Sequence, residues 1–355
     1  MKAARTYGVK DVRIEDVPIP EIGDKEVLIK VKYTGICGSD LGAYMGGWAL
    51  PTLPHPITKK VLPVTTGHEP SGEVVKVGAD VKKWKAGDRV TVEPLIYCGT
   101  CEACKKGFHN LCENSVGEDG SGNIIGFAVD GAFAEYMAAD EESVYRLPDN
   151  LDYQVGALTE PAAVALQAVQ KSGILAGQTA AIFGAGPIGL LVAIMAMHAG
   201  VEDLIISDVA EERLEIARQI GVKYVFNSAE IDMVKKIHEI HENGVDVAFD
   251  CAGVQATLDA SLDSVKHKGR IMDVAVYGKD PVVRMSDMLM KGVDIYTTLC
   301  YSNVYTEAIR IMSNDPETFR KVITRIIPLD KIVEEGFEFL PTDKSQAKIL
   351  VSPEI

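Results

Sequence analysis

A chain of 355 residues is too long for one core and reads as two domains, because single cores seldom grow past about 250 residues before splitting. It is 47% apolar and 25% charged, ordinary globular values, and its net charge of -15 argues against a phosphate-binding face for nucleic acid. The start, MKAARTYGVKDVRIED, meets charge before any apolar run, so it is not read as a secretory signal. The protein is therefore expected in the cytoplasm, where clustered cysteines hold metal or do redox work more often than they form disulfides.

The first 150 or so residues carry short β-branched runs, EVLIKVKY and GEVVKVG, between glycine and proline turns, and predict an irregular, mostly β domain. Within it stand Cys37 in GICGSD and His68-Glu69 in TGHEPSG. Thiolate, imidazole and carboxylate, with Glu160 further on, are a ligand set that suits zinc while leaving one position open. Each also has a plain structural reading, as a small buried hydrophobe, a satisfied core histidine and a helix-start acid.

Four of the seven cysteines fall in Cys98-x2-Cys101-x2-Cys104-x7-Cys112. Four thiolates so close can fill a tetrahedral zinc site with no coordination position left over, which stabilises but does not catalyse. A thioredoxin-like device needs one C-x-x-C opening a helix in a small α/β domain, whereas here the pairs overlap inside a glycine- and lysine-containing loop. Unmetallated loop thiols would invite oxidation. His109 lies in the same loop, but four cysteines already complete the set.

From about residue 151 the texture changes. VGALTEPAAVALQAVQKSG is helical in composition, and TAAIF, DLIIS, VDVAFDC and GRIMDVAV then alternate with helical patterns such as EERLEIARQIG. That alternation predicts a parallel sheet covered by helices on both faces. The apolar run AAIFGAGPIGLLVAIMAM reaches membrane-span length, but its glycines and proline favour a buried strand, a turn and a buried helix.

Gly184, Gly186 and Gly189 stand in G-x-G-x-x-G spacing between predicted strand and predicted helix, so the turn Gly184-Ala185-Gly186-Pro187-Ile188-Gly189 is read as a dinucleotide site. Asp208, nineteen residues after Gly189, can accept hydrogen bonds from an adenosine ribose and would repel a 2'-phosphate, which favours NAD over NADP. It can equally cap the EERLEIA helix. The pair His238 and His241 in HEIHE lacks metalloprotease spacing and is read as solvated helix. After about residue 297 the chain ends in a helix-strand mixture that spacing alone assigns to neither domain.

GHEPSGEVVKVGADV, the four-cysteine loop and GAGPIG together resemble the zinc-containing medium-chain alcohol dehydrogenases, and the resemblance covers essentially the whole chain. It implies an α/β protein: a GroES-like, mostly β catalytic domain over residues 1–155, a Rossmann doubly wound parallel-sheet domain over 156–296, and a return to the catalytic domain over 297–355. It implies a catalytic zinc on Cys37, His68 and Glu160, with Glu69 behind it or exchanging onto it. By the same resemblance, Ser39 takes the substrate proton and Arg213 meets the adenosine ribose.

Within the family, HPITKKVLPVTTGHEPSG, EPAAVALQAV, DKIVEEGFEFL and QAKILVSPE are most similar to the (R,R)-2,3-butanediol dehydrogenases, which interconvert acetoin and butanediol. Sorbitol-type polyol dehydrogenases come next, with threonine dehydrogenases as a further alternative. The sorbitol-type enzymes carry an arginine for substrate hydroxyls where this chain has Cys300, and a small residue there favours a short diol. The family pattern C-G-S-D-x-H is broken at Gly42, so the usual proton-path histidine is missing. Either water reaches the cofactor ribose, or Tyr44 substitutes, or proton release is slow. A small-molecule substrate, no nucleic-acid or membrane partner, and a homotetramer or homodimer complete the expectations. A non-catalytic dinucleotide-binding zinc scaffold is the competing reading, since a fold does not imply an activity.

Overall fold

In the N-terminal part, β1 (Lys2–Gly8) and β2 (Asp11–Asp16) pair as an antiparallel hairpin, followed by β3 (Glu26–Gly35) and α1 (Gly38–Gly46). The structure, a computed structural model, describes residues 1–355. Then come β4 (Val64–Thr65), β5 (Glu69–Val77), β6 (Arg89–Val92), the one-turn α2 (Glu102–Lys105), β7 (Tyr136–Asp140) and β8 (Val144–Arg146). In β3 the alternation EVLIKVKY puts Val27, Ile29 and Val31 into a core shared with Val74 and Val90, while Lys30 and Lys32 stay partly exposed. Strand order in this sheet is β15-β16-β3-β5-β6-β8, with β7 also on β3, where β15 (Ile323–Pro328) and β16 (Lys348–Ser352) come from the far end of the chain.

The linking helices are α3 (Tyr153–Gly156) and α4 (Thr159–Ser172), two pieces where composition suggested one. Asp152 caps the first through the Val155 amide, and that short turn aims α4 so that Glu160 lies in its first turn. Next follow β9 (Thr179–Phe183), α5 (Pro187–His198), β10 (Asp203–Asp208), α6 (Glu211–Gln219), β11 (Tyr224–Asn227), α7 (Met233–Ile240), β12 (Val245–Asp250), α8 (Gln255–Ser264), β13 (Val265–Asp273), α9 (Met285–Lys291) and β14 (Asp294–Thr297). All neighbours in the order β11-β10-β9-β12-β13-β14 are parallel, which is the doubly wound arrangement with its crevice at the carboxyl ends of β9 and β12. The apolar run thus divides into β9 and a buried α5, and no helix is long and apolar enough to cross a membrane.

The chain closes with α10 (Tyr305–Asn314), α11 (Pro316–Arg320), β15, a π-helical turn at Ile332–Phe337 and β16. The largest core cluster runs from α4 and α5 through Ile182 and Phe249 to Tyr301 and Tyr305. Leu95 and Leu147 from the first sheet region belong to the same cluster, so the two lobes share one apolar seam. That seam joins the lobe of the glycine turn to the lobe of the cysteine-histidine cluster described below.

Candidate active site

The glycine turn opens at Gly184, where φ is +104°, a conformation that a side chain resists. Gly186 caps α5 with extended backbone, and Pro187 occupies its first turn, where a missing N–H costs nothing. A Cβ on Gly189 would overlap the carbonyl oxygen of Gly184, so only glycine lets α5 pack this close to β9. Asp208 is not the cap of α6, a place taken by Ala210. Its Oδ2 accepts from the Ala185 amide at 2.7 Å and its Oδ1 from the Ala210 amide at 2.9 Å, which ties the end of β10 to the turn. Arg213 lies beside the turn, its Nη1 at 4.0 Å from the position of a Cβ on Gly186, and its Nε donates to the Gln346 carbonyl at 2.9 Å. Ile188 and Pro187 are half-buried on the rim.

In the other lobe, Cys37 caps α1 and lies with His68 and Glu69 in one group whose ligand atoms are all within 4.8 Å of one another. Strand geometry explains this: β3 ends just before Cys37, and His68 precedes β5, whose Glu69 pairs directly with Gly35. The Ser39 hydroxyl lies 3.4 Å from His68 Nε2. Glu160 is buried at the start of α4 and stands outside that group. Burial raises its carboxyl to about 7, against the pull of His68. Glu69 is held by Lys348, whose Nζ donates to both carboxylate oxygens at 2.7 and 2.6 Å and to the Ile36 carbonyl at 2.9 Å.

Asp40 and Lys348 escaped the sequence reading. Asp40 is 1% exposed; its Oδ2 accepts from the Cys37 amide at 2.9 Å, and its Oδ1 lies 3.6 Å from His68 Nδ1. Those two atoms have no other partner, as expected where a carboxylate orients an imidazole whose far nitrogen faces a metal. The fourth position of CGSD could have signalled Asp40. For Lys348 the only signal was a lone cation in the apolar run AKILV.

Tyr44 is placed elsewhere. Its hydroxyl donates to Glu338 at 3.1 Å and its ring packs on Phe337, so it faces the C-terminal π-helical turn. At Gly42 the neighbour is Trp48, whose Cβ would lie 3.6 Å from an added Cβ; Trp48 stands edge-on to Phe127, and Phe127 lies against His68. Cys300 adopts φ +49°, a strained backbone that often marks a functional site. Burial pushes its thiol up, and the charges of Glu160 and Cys37 add to the effect.

The cysteine loop gathers Cys98, Cys101, Cys104 and Cys112, all unbridged, with Cys98–Cys104 and Cys101–Cys112 sulfurs 4.0 Å apart. A tetrahedron of Zn–S bonds near 2.3 Å requires edges of about 3.8 Å, so the four sulfurs fit zinc. The Thr100 hydroxyl and the Thr100 and Cys101 amides hold the Cys98 thiol at about 5, while burial pushes Cys104 up to about 12. A bound cation resolves that conflict. Cys101 does open a helix, the four-residue α2, contrary to the overlap argument for a plain loop, but its partners are three sulfurs and not one. His109 stacks on Tyr97 and is no part of the set. In HEIHE, α7 ends at Ile240, and the His238 ring is engaged by the Glu242 and Asp263 carbonyls.

Comparison with known proteins gives the same result for both lobes. Residues 23–149 match the alcohol dehydrogenase GroES-like domain, and residues 187–314 match the zinc-binding dehydrogenase family. The (R,R)-butanediol dehydrogenase of Bacillus subtilis (strain 168) is 40% identical over 99% of this chain and 100% of its own length. Sorbitol dehydrogenase of the same strain is 34% identical over 99% and 97%. The crystal structure of 2R,3R-butanediol dehydrogenase from Bacillus subtilis superposes with a TM-score of 0.92, at 39% identity and 99% coverage of both chains. Two lobes joined by a shared seam, two clusters of metal-type donors and full-length similarity of this degree lead to one conclusion: the chain belongs to the zinc-containing medium-chain alcohol dehydrogenase family.

Proposed function

We propose that this dehydrogenase is an NAD-dependent (R,R)-2,3-butanediol dehydrogenase that interconverts a small vicinal diol and its hydroxyketone, acetoin, with diacetyl reduction as a related activity. The observation that carries the reading is the gathering of Cys37 and His68, with the Ser39 hydroxyl 3.4 Å from His68 Nε2, near the small Cys300, whose thiol feels the charges of Glu160 and Cys37. Zinc would sit on Cys37, His68 and Glu160 as a Lewis acid toward the alcohol oxygen, with NAD as hydride acceptor. Glu160 is the better third ligand because Lys348 already neutralises Glu69, while no hydrogen-bonded cation stands beside Glu160.

Asp40 fixes the His68 ring, and Ser39 takes the substrate proton from the alcohol oxygen. With Gly42 in place of a histidine and Tyr44 bonded to Glu338, the proton leaves Ser39 to water. Asp208 meets the adenosine ribose with Arg213 at its side, and its charge disfavours a 2'-phosphate. Cys300 leaves room for a methyl-bearing carbon where an arginine would reach for further hydroxyls. A panel of butanediol stereoisomers, acetoin, sorbitol and threonine with NAD and NADP tests this. The highest kcat/KM is expected for (R,R)-butanediol with NAD, by tenfold or more, on the order of one lost polar contact; sorbitol, threonine or NADP in first place overturns it.

The domain boundaries at 155/156 and 296/297 belong to the same reading, as does a cytoplasmic location. So does self-association. β14 is an open edge that bears the exposed Ile295 and Tyr296, and the segment before it exposes Val282, Met285, Leu289 and Met290. An uncovered apolar edge of this kind is a pairing surface for a second copy. Sedimentation equilibrium is expected to give a tetramer or a dimer, and a monomer at micromolar concentration refutes it.

A further inference from the structure

Gly35 has no backbone reason to be glycine. Its φ lies outside the left-handed region, and it sits at the end of a regular strand, buried, between β5 and β16. Its register partners are Glu69 on β5 and Leu350 on β16. Neighbouring strands lie about 4.8 Å apart, so β5 and β16 are nearly 10 Å apart with β3 between them. Glu69 and Lys348 nevertheless form a buried ion pair at 2.6 Å, and their side chains close that gap by passing over residue 35. A Cβ built on Gly35 would overlap Glu69 Oε2, stand 3.0 Å from Glu69 Cδ and 3.2 Å from Lys348 Cδ.

We propose that Gly35 is a positioning residue for the metal centre: the side chain it lacks is the recess in which the Glu69 carboxylate is held against Lys348, at the edge of the group it forms with Cys37 and His68. This rests on the metal reading given above. The recess has a floor of backbone and walls of two buried side chains, Glu69 and Lys348, each at most 2% exposed, so a Cβ at position 35 displaces the carboxylate and cannot be absorbed by solvent. The ligand atoms of Cys37 and His68 lie within 4.8 Å of that carboxylate, so its displacement is felt at the metal group. Gly35 thereby sets how the Glu69 carboxylate is presented to Cys37 and His68.

The test is a double-mutant cycle on the full-length holoenzyme with Gly35→Ala, Glu69→Asp and both together. The shorter aspartate vacates the volume that a Cβ at 35 needs. Gly35→Ala alone is expected to lower kcat about tenfold or more, the usual scale for a residue that orients a ligand. It should also shift the visible absorption of the cobalt-substituted enzyme. In the Glu69→Asp background the same change should cost less than about twofold and leave the spectrum still. Equal losses in both backgrounds, or a Gly35→Ala enzyme with wild-type turnover and spectrum, overturn the proposal. Should Gly35→Ala fail to accumulate, a soluble double variant supports the inference and an insoluble one refutes it. Failure of the metal reading looks different: wild-type protein would lack a cobalt-thiolate band that depends on Cys37, while the coupling between positions 35 and 69 would still appear in the thermal midpoints.

Discussion

Cys37→Ala is expected to abolish hydride transfer while leaving dinucleotide binding intact. Cys37 caps α1 and supplies the only sulfur in the group with His68 and Glu69, whereas the glycine turn lies on the other lobe. A Lewis acid at the alcohol oxygen accounts for several kcal/mol of transition-state stabilisation. At 1.36 kcal/mol per decade, losing about 4 kcal/mol lowers kcat roughly a thousandfold. Bound zinc should fall from about two to about one per chain, the remainder on the four cysteines, each site taking one ion. Dinucleotide affinity, measured by fluorescence titration, should stay within about twofold, since Cys37 and the glycine turn belong to different lobes and share no hydrogen-bond partner. Unchanged turnover sinks the catalytic assignment, and a wild-type protein with a single zinc favours the non-catalytic scaffold.

The second large effect is on stability. Cys104→Ser removes a buried ligand from the four-sulfur set and leaves three thiolates too few to close a tetrahedron. Structural zinc contributes folding free energy directly, so loss of several kcal/mol is expected, or about 10 °C in thermal midpoint at roughly 2–4 °C per kcal/mol. The damage should reach substrate binding. Asn110 donates to the Leu299 carbonyl at 2.7 Å, and Ser302 donates to the Gly107 carbonyl at 2.6 Å. Those two bonds hold the strained segment around Cys300 against the zinc loop, so KM for the diol should rise by more than KM for NAD. A variant with unchanged zinc content and unchanged melting behaviour would falsify the structural assignment.

Much of this was legible in the sequence because it is local. The glycine turn needs three glycines within six residues of each other in strand-turn-helix context, and the alternation from β9 onward states the parallel sheet outright. The cysteine loop is equally local. The grouping of Cys37 with His68 was not, because 30 residues lie between them and only resemblance brought them together. Asp40 was within reach, three residues from Cys37, but its meaning depends on His68 being beside it. Lys348 is 279 residues from Glu69, and the pair exists only because β16 adds to β3 next to β5. No periodicity announces a strand partner from the far end of a chain. The role of Gly35 is harder still, since a glycine is ordinarily read as a turn, and this one is a vacancy in a strand.

The pairing of Glu69 with Lys348 also sets an order of events during synthesis. At about 5–20 residues per second, roughly 15–55 seconds pass between the making of these two residues. Throughout that interval the Glu69 carboxylate has no counter-ion, and the whole doubly wound lobe is made before one arrives. An unpaired charge resists burial, so the recess over Gly35 stays wet and open until the last strand slides in. The metal pocket is thus among the last parts of the molecule to be finished, although most of its ligands are among the first to emerge.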